Sequence, residues 1–373
     1  MNRAVTSEAD IRIATGTAQL YRLPLARPLS DQTHHLEHVD LTIVRLTSDD
    51  KTIGDGYALT VGTGGAAVRE LIETSLIPRL HGKDIHPRPL WHELWRAVHD
   101  LGSRGLTAIA IGAVDIALWD LLGKVAGRPL TDLLGRSRAT IPAYGSGVNL
   151  NLSVGELTQQ VRRWVEVGYK GVKVKVGTGS LREDRRRLEA VRNAIGDIPL
   201  MADANQGWNV PQAIEACSLF ADLELTWLEE PILAEDLLGY ARLRERATTP
   251  IAAGENLFSV HEVNQYLAMS AFDYLQADVV KVGGITPFLD IAALAHAWNV
   301  PLAPHHKMEL SGQLLCCLPA GYLVEDLEGM SLTDLGALRR AIRVEDGLYS
   351  PPAVPGHGLE FDFEHLAKFR VSR

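Results

Sequence analysis

The chain has 373 residues and a formal net charge of −9. At roughly 150 residues per domain it holds two or three domains, unless one is a large barrel; its 46% apolar and 22% charged residues exclude a collagen, a coiled coil or a disordered chain. The acidic balance argues against nucleic-acid binding, and no stretch approaches the ~20 apolar residues needed to cross a bilayer, so no membrane partner is expected. Residues 1–10 show no apolar signal core. The cysteines are Cys217, Cys316 and Cys317, an odd set without a CxxC pair. That argues against a disulfide framework or structural zinc, and a cytoplasmic location is expected.

Residues 11–22 and 39–47 read as strands. Between them, residues 27–36 are too rich in polar and turn-forming side chains for a core and read as a loop. Gly54, Asp55 and Gly56 read as a turn before a third strand. From about residue 65 the period is helical: residues 70–78 form a helix that ends near Pro78, and the mostly apolar residues 108–122 form a buried helix. After Gly135, short apolar runs alternate with longer amphipathic stretches, as in a chain of βα units. The runs 141–144, 171–176, 199–203, 226–229, 251–254, 274–278, 300–304 and 322–325 supply eight strand candidates, the number that closes a parallel barrel. Helices are expected over residues 183–195, 211–220 and 289–298, and the tail is loop-rich.

Charged residues fall at the C-terminal ends of these runs, the face where barrel enzymes keep their active sites. Lys173 and Lys175 are two apart on one strand and share a face. Two close ammonium groups disfavour double protonation and burial lowers a lysine pKa further, so one becomes a usable base. Asp203, Glu229 and Glu255 end three successive strands. Carboxylates on one rim repel unless a cation joins them, and oxygen-only ligands point to a hard ion, most simply Mg²⁺. Capping of the following helices is the competing reading. Glu230 should point away from its neighbour's face, into a supporting contact, and Asn205 shares the face of Asp203. Asp278 and His305 end the next two strands; a carboxylate beside an imidazole fixes its tautomer. His306 is the rival of His305, since only one of two neighbours faces inward. Lys281 either enters the site or forms a structural ion pair, and Glu325 ends the last strand.

This constellation resembles the enolase superfamily, in its mandelate racemase subgroup. The likeness is carried by Lys173-Val-Lys175, Asp203-Ala-Asn205, Trp227-Leu-Glu-Glu-Pro231, Gly254-Glu-Asn256, Gln276-Ala-Asp278 with Lys281-Val-Gly-Gly284, Pro304-His305 and Glu325. Ile116-Ala-Leu-Trp-Asp120, Leu133-Leu-Gly135 and Pro355-Gly-His-Gly-Leu359 extend it to both ends of the chain. The resemblance implies an α+β capping domain from residues 1–136 and the tail 341–373, over a modified (β/α)7β barrel in residues 137–340. It implies Asp203, Glu229 and Glu255 as Mg²⁺ ligands. Lys175 would be one base and the His305–Asp278 dyad the base on the opposite face. Lys173 would be an auxiliary lysine, and Glu325, protonated or sharing a proton, would bond the substrate carboxylate. A homo-oligomer, often an octamer, is also implied.

The reaction shared by that family is removal of the proton next to a carboxylate. Return of a proton from the other face gives racemisation or epimerisation; loss of a β-hydroxyl gives a 2-keto-3-deoxy acid. Residues 27–38 would form the capping loop that sets substrate choice. Ser30, Asp31, Gln32, Thr33, His34 and His35, with no aromatic residue among them, suit a polyhydroxy acid better than an aryl acid. Arg27, His34 or His35 would pair with a distal carboxylate, and Ser146 is a further contact. The expected function is an acid-sugar dehydratase acting on an aldonate or aldarate, with a racemase or epimerase of a 2-hydroxy acid as the alternative. A cycloisomerase is disfavoured, because that chemistry resembles sites with a lysine opposite Lys175 and no His–Asp dyad. A barrel that only binds sugar acids would need neither the base pair nor the carboxylate triad.

Overall fold

The computed structural model describes residues 11–372; the signal-core reading of residues 1–10 lies outside them. Strands β1 (Ile13–Ser30), β2 (His35–Ser48) and β3 (Ile53–Thr60) form an antiparallel sheet in that order. The stretch expected as a long capping loop is mostly strand, with Ser30 opposite His35. Backbone pairing alone sustains such a ribbon, so its polar side chains need no core. What remains of the loop is a tight turn in which the Asp31 carboxylate accepts from the Thr33 and His34 N–H groups, each at 2.7 Å.

The helix expected to end near Pro78 instead passes from Gly65–Leu71 through a wide π turn, Ile72–Leu76, into Ile77–Leu80. Pro78 opens that last turn, where its missing N–H has no partner to lose. Leu106–Val125 corrects a second expectation: its 20 residues are long and apolar enough to cross a bilayer. It is instead the helix at the centre of the core, buried on all sides. Glycines let it be approached from two directions. A Cβ on Gly56 of β3 would lie 2.1 Å from the Ala113 carbonyl, and one on Gly112 would lie 2.5 Å from the Val280 carbonyl at the barrel rim.

The second sheet is parallel and curls in the order β10–β4–β5–β6–β7–β8–β9. Its strands are β4 (Ile141–Ser146), β5 (Val172–Lys175), β6 (Leu200–Asp203), β7 (Trp227–Glu229), β8 (Ile251–Ala253), β9 (Tyr274–Leu275) and β10 (Val324–Leu327). The strand expected at residues 300–304 shrinks to one bridged position, Leu302, which pairs with both Leu275 and Gly321 and closes the ring. Pro301 and Pro304 flank it and donate nothing to a ladder. A helix follows each strand up to this position, from Val154–Val167 to Met308–Leu315, so the architecture is a modified (β/α)7β barrel under an α+β cap. The short strand β11 (Leu348–Tyr349) pairs with the start of β4. Beyond it the tail reaches the cap, where the His357 N–H donates to Asp120 at 2.9 Å and its Nε2 meets the Asp55 carbonyl at 2.7 Å.

The barrel floor is a separate apolar layer that includes Tyr144, Met201, Trp227, Ala303 and Leu323. Each lies two residues before Ser146, Asp203, Glu229, His305 or Glu325. Period-two alternation therefore lifts the polar residues to the next inward layer, above the plug.

Candidate active site

Strand register sets Lys175, Asp203 and Glu229 side by side. Lys175 Nζ pairs with Asp203 Oδ2. Lys173 Nζ lies 2.6 Å from Glu229 Oε1 and 2.8 Å from Glu325 Oε1. The other Glu229 oxygen accepts from Gln276 Nε2 at 2.6 Å and Trp227 Nε1 at 3.0 Å. Glu255 stands two residues past β8, with Lys281 Nζ at 3.3 Å and His305 Nε2 at 3.2 Å. His305 Nδ1 lies 2.9 Å from Asp278 Oδ2. The two base candidates are thus joined to opposite members of the carboxylate set, Lys175 to Asp203 and His305 to Glu255.

His306 does not enter the site. Its N–H donates to Glu325 Oε2 at 2.7 Å and its ring turns to the Met330 carbonyl at 3.0 Å. Glu230 is fully buried and accepts from Asn256 Nδ2 at 2.8 Å, close enough to Glu255 to feel its charge. Asn205 sits in the left-handed region at φ 42°, and its buried Oδ1 has no partner. The buried Ser146 hydroxyl faces Glu325.

The capping residues separate. Asp31 and His34 pair at 3.1 Å. Asp31 feels the charge of Lys175, and His34 feels those of Glu255 and Lys281, so both look onto the site. Arg27 is not brought into the cluster: it pairs with Glu328 at 3.6 Å, beside Arg163 on the same carboxylate. His35 is exposed and bonds Ser30 Oγ at 2.8 Å. His34 belongs to the turn and His35 opens β2, and only His34 is held by Asp31.

The electrostatics overturn two expectations. Burial disfavours both ammonium forms, but Glu229 and Glu325 around Lys173, and Asp203 beside Lys175, outweigh it and raise both lysine pKa values. Neither lysine is a free base in this arrangement. Burial also pushes Glu325 upward, yet Lys173 and His305 outweigh it and lower its pKa, against the direction that a protonated Glu325 requires. Glu229 is pushed up to about 8 by burial and by Asp203 and Glu325. Burial and Glu255 raise Glu230 as well. Among the described residues no three His, Cys, Asp or Glu side chains already enclose a common point, because Lys173, Lys175, Lys281 and His305 occupy the carboxylate oxygens.

Sequence reasoning missed Lys307. Its Nζ lies 3.2 Å from Asp278 Oδ2 and 2.9 Å from His306 Nδ1. No strand period reaches it, since it follows the turn after His305. Gln276 was within reach of the argument, because it shares the face of Asp278.

A (β/α)7β barrel whose mouth gathers Lys175, His305 and a rim of carboxylates is the build of an enzyme active site. Family comparison agrees. Residues 156–366 match the enolase C-terminal domain-like model, and residues 15–135 match the N-terminal domain of mandelate racemase / muconate lactonizing enzyme. The chain belongs to this mandelate racemase / muconate lactonizing enzyme family of the enolase superfamily. It is 38% identical to a 3,6-anhydro-alpha-L-galactonate cycloisomerase from Streptomyces coelicolor, over 94% of this chain and 98% of that protein. It is 36% identical to an L-talarate/galactarate dehydratase from Salmonella typhimurium, over 88% and 85%. A solved structure described as a racemase from Streptomyces coelicolor A3(2) with bound magnesium superposes with a TM-score of 0.92 at 36% identity, covering 96% of this chain and all of that one (100%).

Proposed function

We propose that the chain is an acid-sugar dehydratase: it removes the proton α to the carboxylate of a polyhydroxy acid and expels the β-oxygen, leaving a 2-keto-3-deoxy acid. The observation that carries this reading is the placement of Lys175 and the His305–Asp278 pair at opposite ends of Asp203, Glu229 and Glu255, beneath a polar hairpin turn.

The donor set fits Mg²⁺. It is all oxygen, burial together with the charges of Asp203 and Glu325 pushes Glu229 up to about 8, and the buried Asn205 Oδ1 lacks a partner. Asp203, Glu229 and Glu255 would hold the ion, which when bound supplies a Lewis acid for the charge that builds on the substrate carboxylate. With Asp203 so engaged, the main cause of the raised Lys175 pKa is removed. Lys175 Nζ or His305 Nε2 then takes the α-proton; the C–H electron pair becomes the new double bond. The β-carbon–oxygen bond breaks, and the protonated imidazole of His305 gives the leaving oxygen its proton. The enol takes up a proton at the β-carbon and releases its hydroxyl proton to solvent, which gives the keto acid. Lys173, ionised, stays beside Glu325 at the carboxylate end. Asp31 and His34 face the distal hydroxyls, where an ionised aspartate accepts and a histidine donates.

A second reading draws on the Streptomyces relative. A β-oxygen tethered in a ring is expelled by the same step without loss of water, so an anhydro acid would be isomerised. The same two bases also permit epimerisation, as the racemase neighbour suggests. The deciding experiment is a ¹H NMR screen in D₂O with Mg²⁺, repeated with EDTA. The panel is aldonates, aldarates including galactarate and L-talarate, and 3,6-anhydro-L-galactonate. Metal-dependent loss of the α-proton signal with growth of a 2-keto-3-deoxy product supports elimination, and the responding acid separates dehydration from ring opening. Loss of the α-proton without a new skeleton defeats it in favour of epimerisation.

A further inference from the structure

We infer that Lys307 is a positioning residue that fixes which nitrogen of His305 faces the substrate. His306 and Lys307 both have left-handed backbone, with φ of 50° and 55°. Such conformations persist in side-chain-bearing residues only where the surroundings hold them. Here the His306 N–H donates to Glu325 at 2.7 Å, and Ser311 Oγ donates to the His306 carbonyl at 3.0 Å. The turn sends the His306 ring outward and brings Lys307 back beneath the dyad.

A continuous hydrogen-bond chain results. The Met330 carbonyl accepts from His306 Nε2 at 3.0 Å, which leaves His306 Nδ1 to accept from Lys307 Nζ at 2.9 Å. Lys307 Nζ, almost wholly buried, also donates to Asp278 Oδ2 at 3.2 Å, the oxygen that His305 Nδ1 meets at 2.9 Å. The other oxygen, Asp278 Oδ1, accepts from the Val280 and Lys281 N–H groups at 2.8 and 3.1 Å. The carboxylate is held on every side and cannot rotate or accept elsewhere. An immobile Oδ2 keeps the His305 proton on Nδ1 and its Nε2 as the nitrogen offered to the barrel mouth. Removal of Lys307 leaves that oxygen held by His305 alone.

The test uses ¹⁵N-histidine-labelled, magnesium-loaded protein without substrate, with His305→Asn to assign the signal. In the wild type, ¹H–¹⁵N correlation should show His305 protonated on Nδ1. Lys307→Met should lose that signal or mix the two tautomers, while Lys307→Arg, with charge and donors kept, retains it. An unchanged His305 signal in Lys307→Met overturns the inference. If Lys307→Met does not fold, Lys307→Gln decides: it is too short to reach both acceptors, so the same loss is expected and an unchanged signal overturns the idea. A kinetic arm rests on the proposed dehydratase reading. With the acid that the screen identifies, kcat of Lys307→Met should fall about 10–100-fold with KM within about threefold. Equal loss in both parameters with an unchanged tautomer marks a merely structural lysine. A wild type that turns over nothing in the panel defeats the proposed reaction, and the tautomer measurement still decides Lys307.

Discussion

His305 hydrogen-bonds Asp278 through Nδ1 at 2.9 Å, which leaves Nε2 as its inward nitrogen. That nitrogen already lies 3.2 Å from Glu255, so the ring borders the carboxylate cluster directly. In the proposed reaction, His305→Asn removes one base and the proton donor to the leaving oxygen. Turnover should fall by about 10²–10⁴-fold, while exchange of an α-proton that faces Lys175 persists in D₂O. The reverse pattern, with His306→Asn inactive in turnover assays and His305→Asn active, would mean that the wrong histidine has been placed inward.

Glu229 is tightly held in the site, with Lys173 and Gln276 both at 2.6 Å. Glu229→Gln keeps its volume and removes its charge. Calorimetry should show Mg²⁺ affinity reduced by about 10–100-fold, with activity lost in parallel. Full activity of the wild type in EDTA would contradict the triad.

The hairpin turn is seated on the barrel through Gln32. A Cβ on Gly207 would lie 2.4 Å from Gln32 Cγ, and one on Gly177 3.0 Å from Gln32 Oε1. Gly207→Ala should therefore displace the turn that carries Asp31 and His34. KM should rise several-fold, about 1 kcal/mol of lost binding, with folding unaffected. An unchanged KM would place substrate recognition elsewhere.

Asp115 is a buried acid that makes no contact with the carboxylate cluster described above. It accepts from the Thr286 N–H at 2.8 Å and its hydroxyl at 2.7 Å, at the start of the helix Ile285–Ala297. Burial pushes its pKa up to about 7, against about 3.9 in the unfolded chain. The folded state therefore keeps a proton that the unfolded state releases between those values, and stability is lost as pH rises through this window. Asp115→Asn, whose Oδ1 still accepts from the Thr286 N–H while its Nδ2 donates to the Thr286 hydroxyl in reversed direction, should make the fall in Tm between pH 4 and 7 shallower than in the wild type. Parallel Tm curves would refute the raised pKa.

Much of the site was legible because strand alternation is local. Asp203, Glu229, His305 and Glu325 each stand two residues beyond a floor residue, and period two alone puts both inward. The capping segment was less legible, since a paired ribbon needs no apolar side chains to announce it. Residues 300–304 misled in the other direction: an apolar run between prolines makes one bridge at Leu302, not a strand.

The barrel rhythm, the family and the residues that rim the barrel mouth can be read along the chain, because each depends on near neighbours in sequence. Contacts between distant segments put His305 and not His306 inward, draw Arg27 off to Glu328 and bring Lys307 to Asp278. They also reverse the sign of the lysine shifts. Two ammonium groups on one strand predict depression, but Asp203, Glu229 and Glu325 surround them from three other strands. Charge balance is summed over space and not along the chain: Asp203 stands 28 positions from Lys175, and Glu229 stands 56 positions from Lys173.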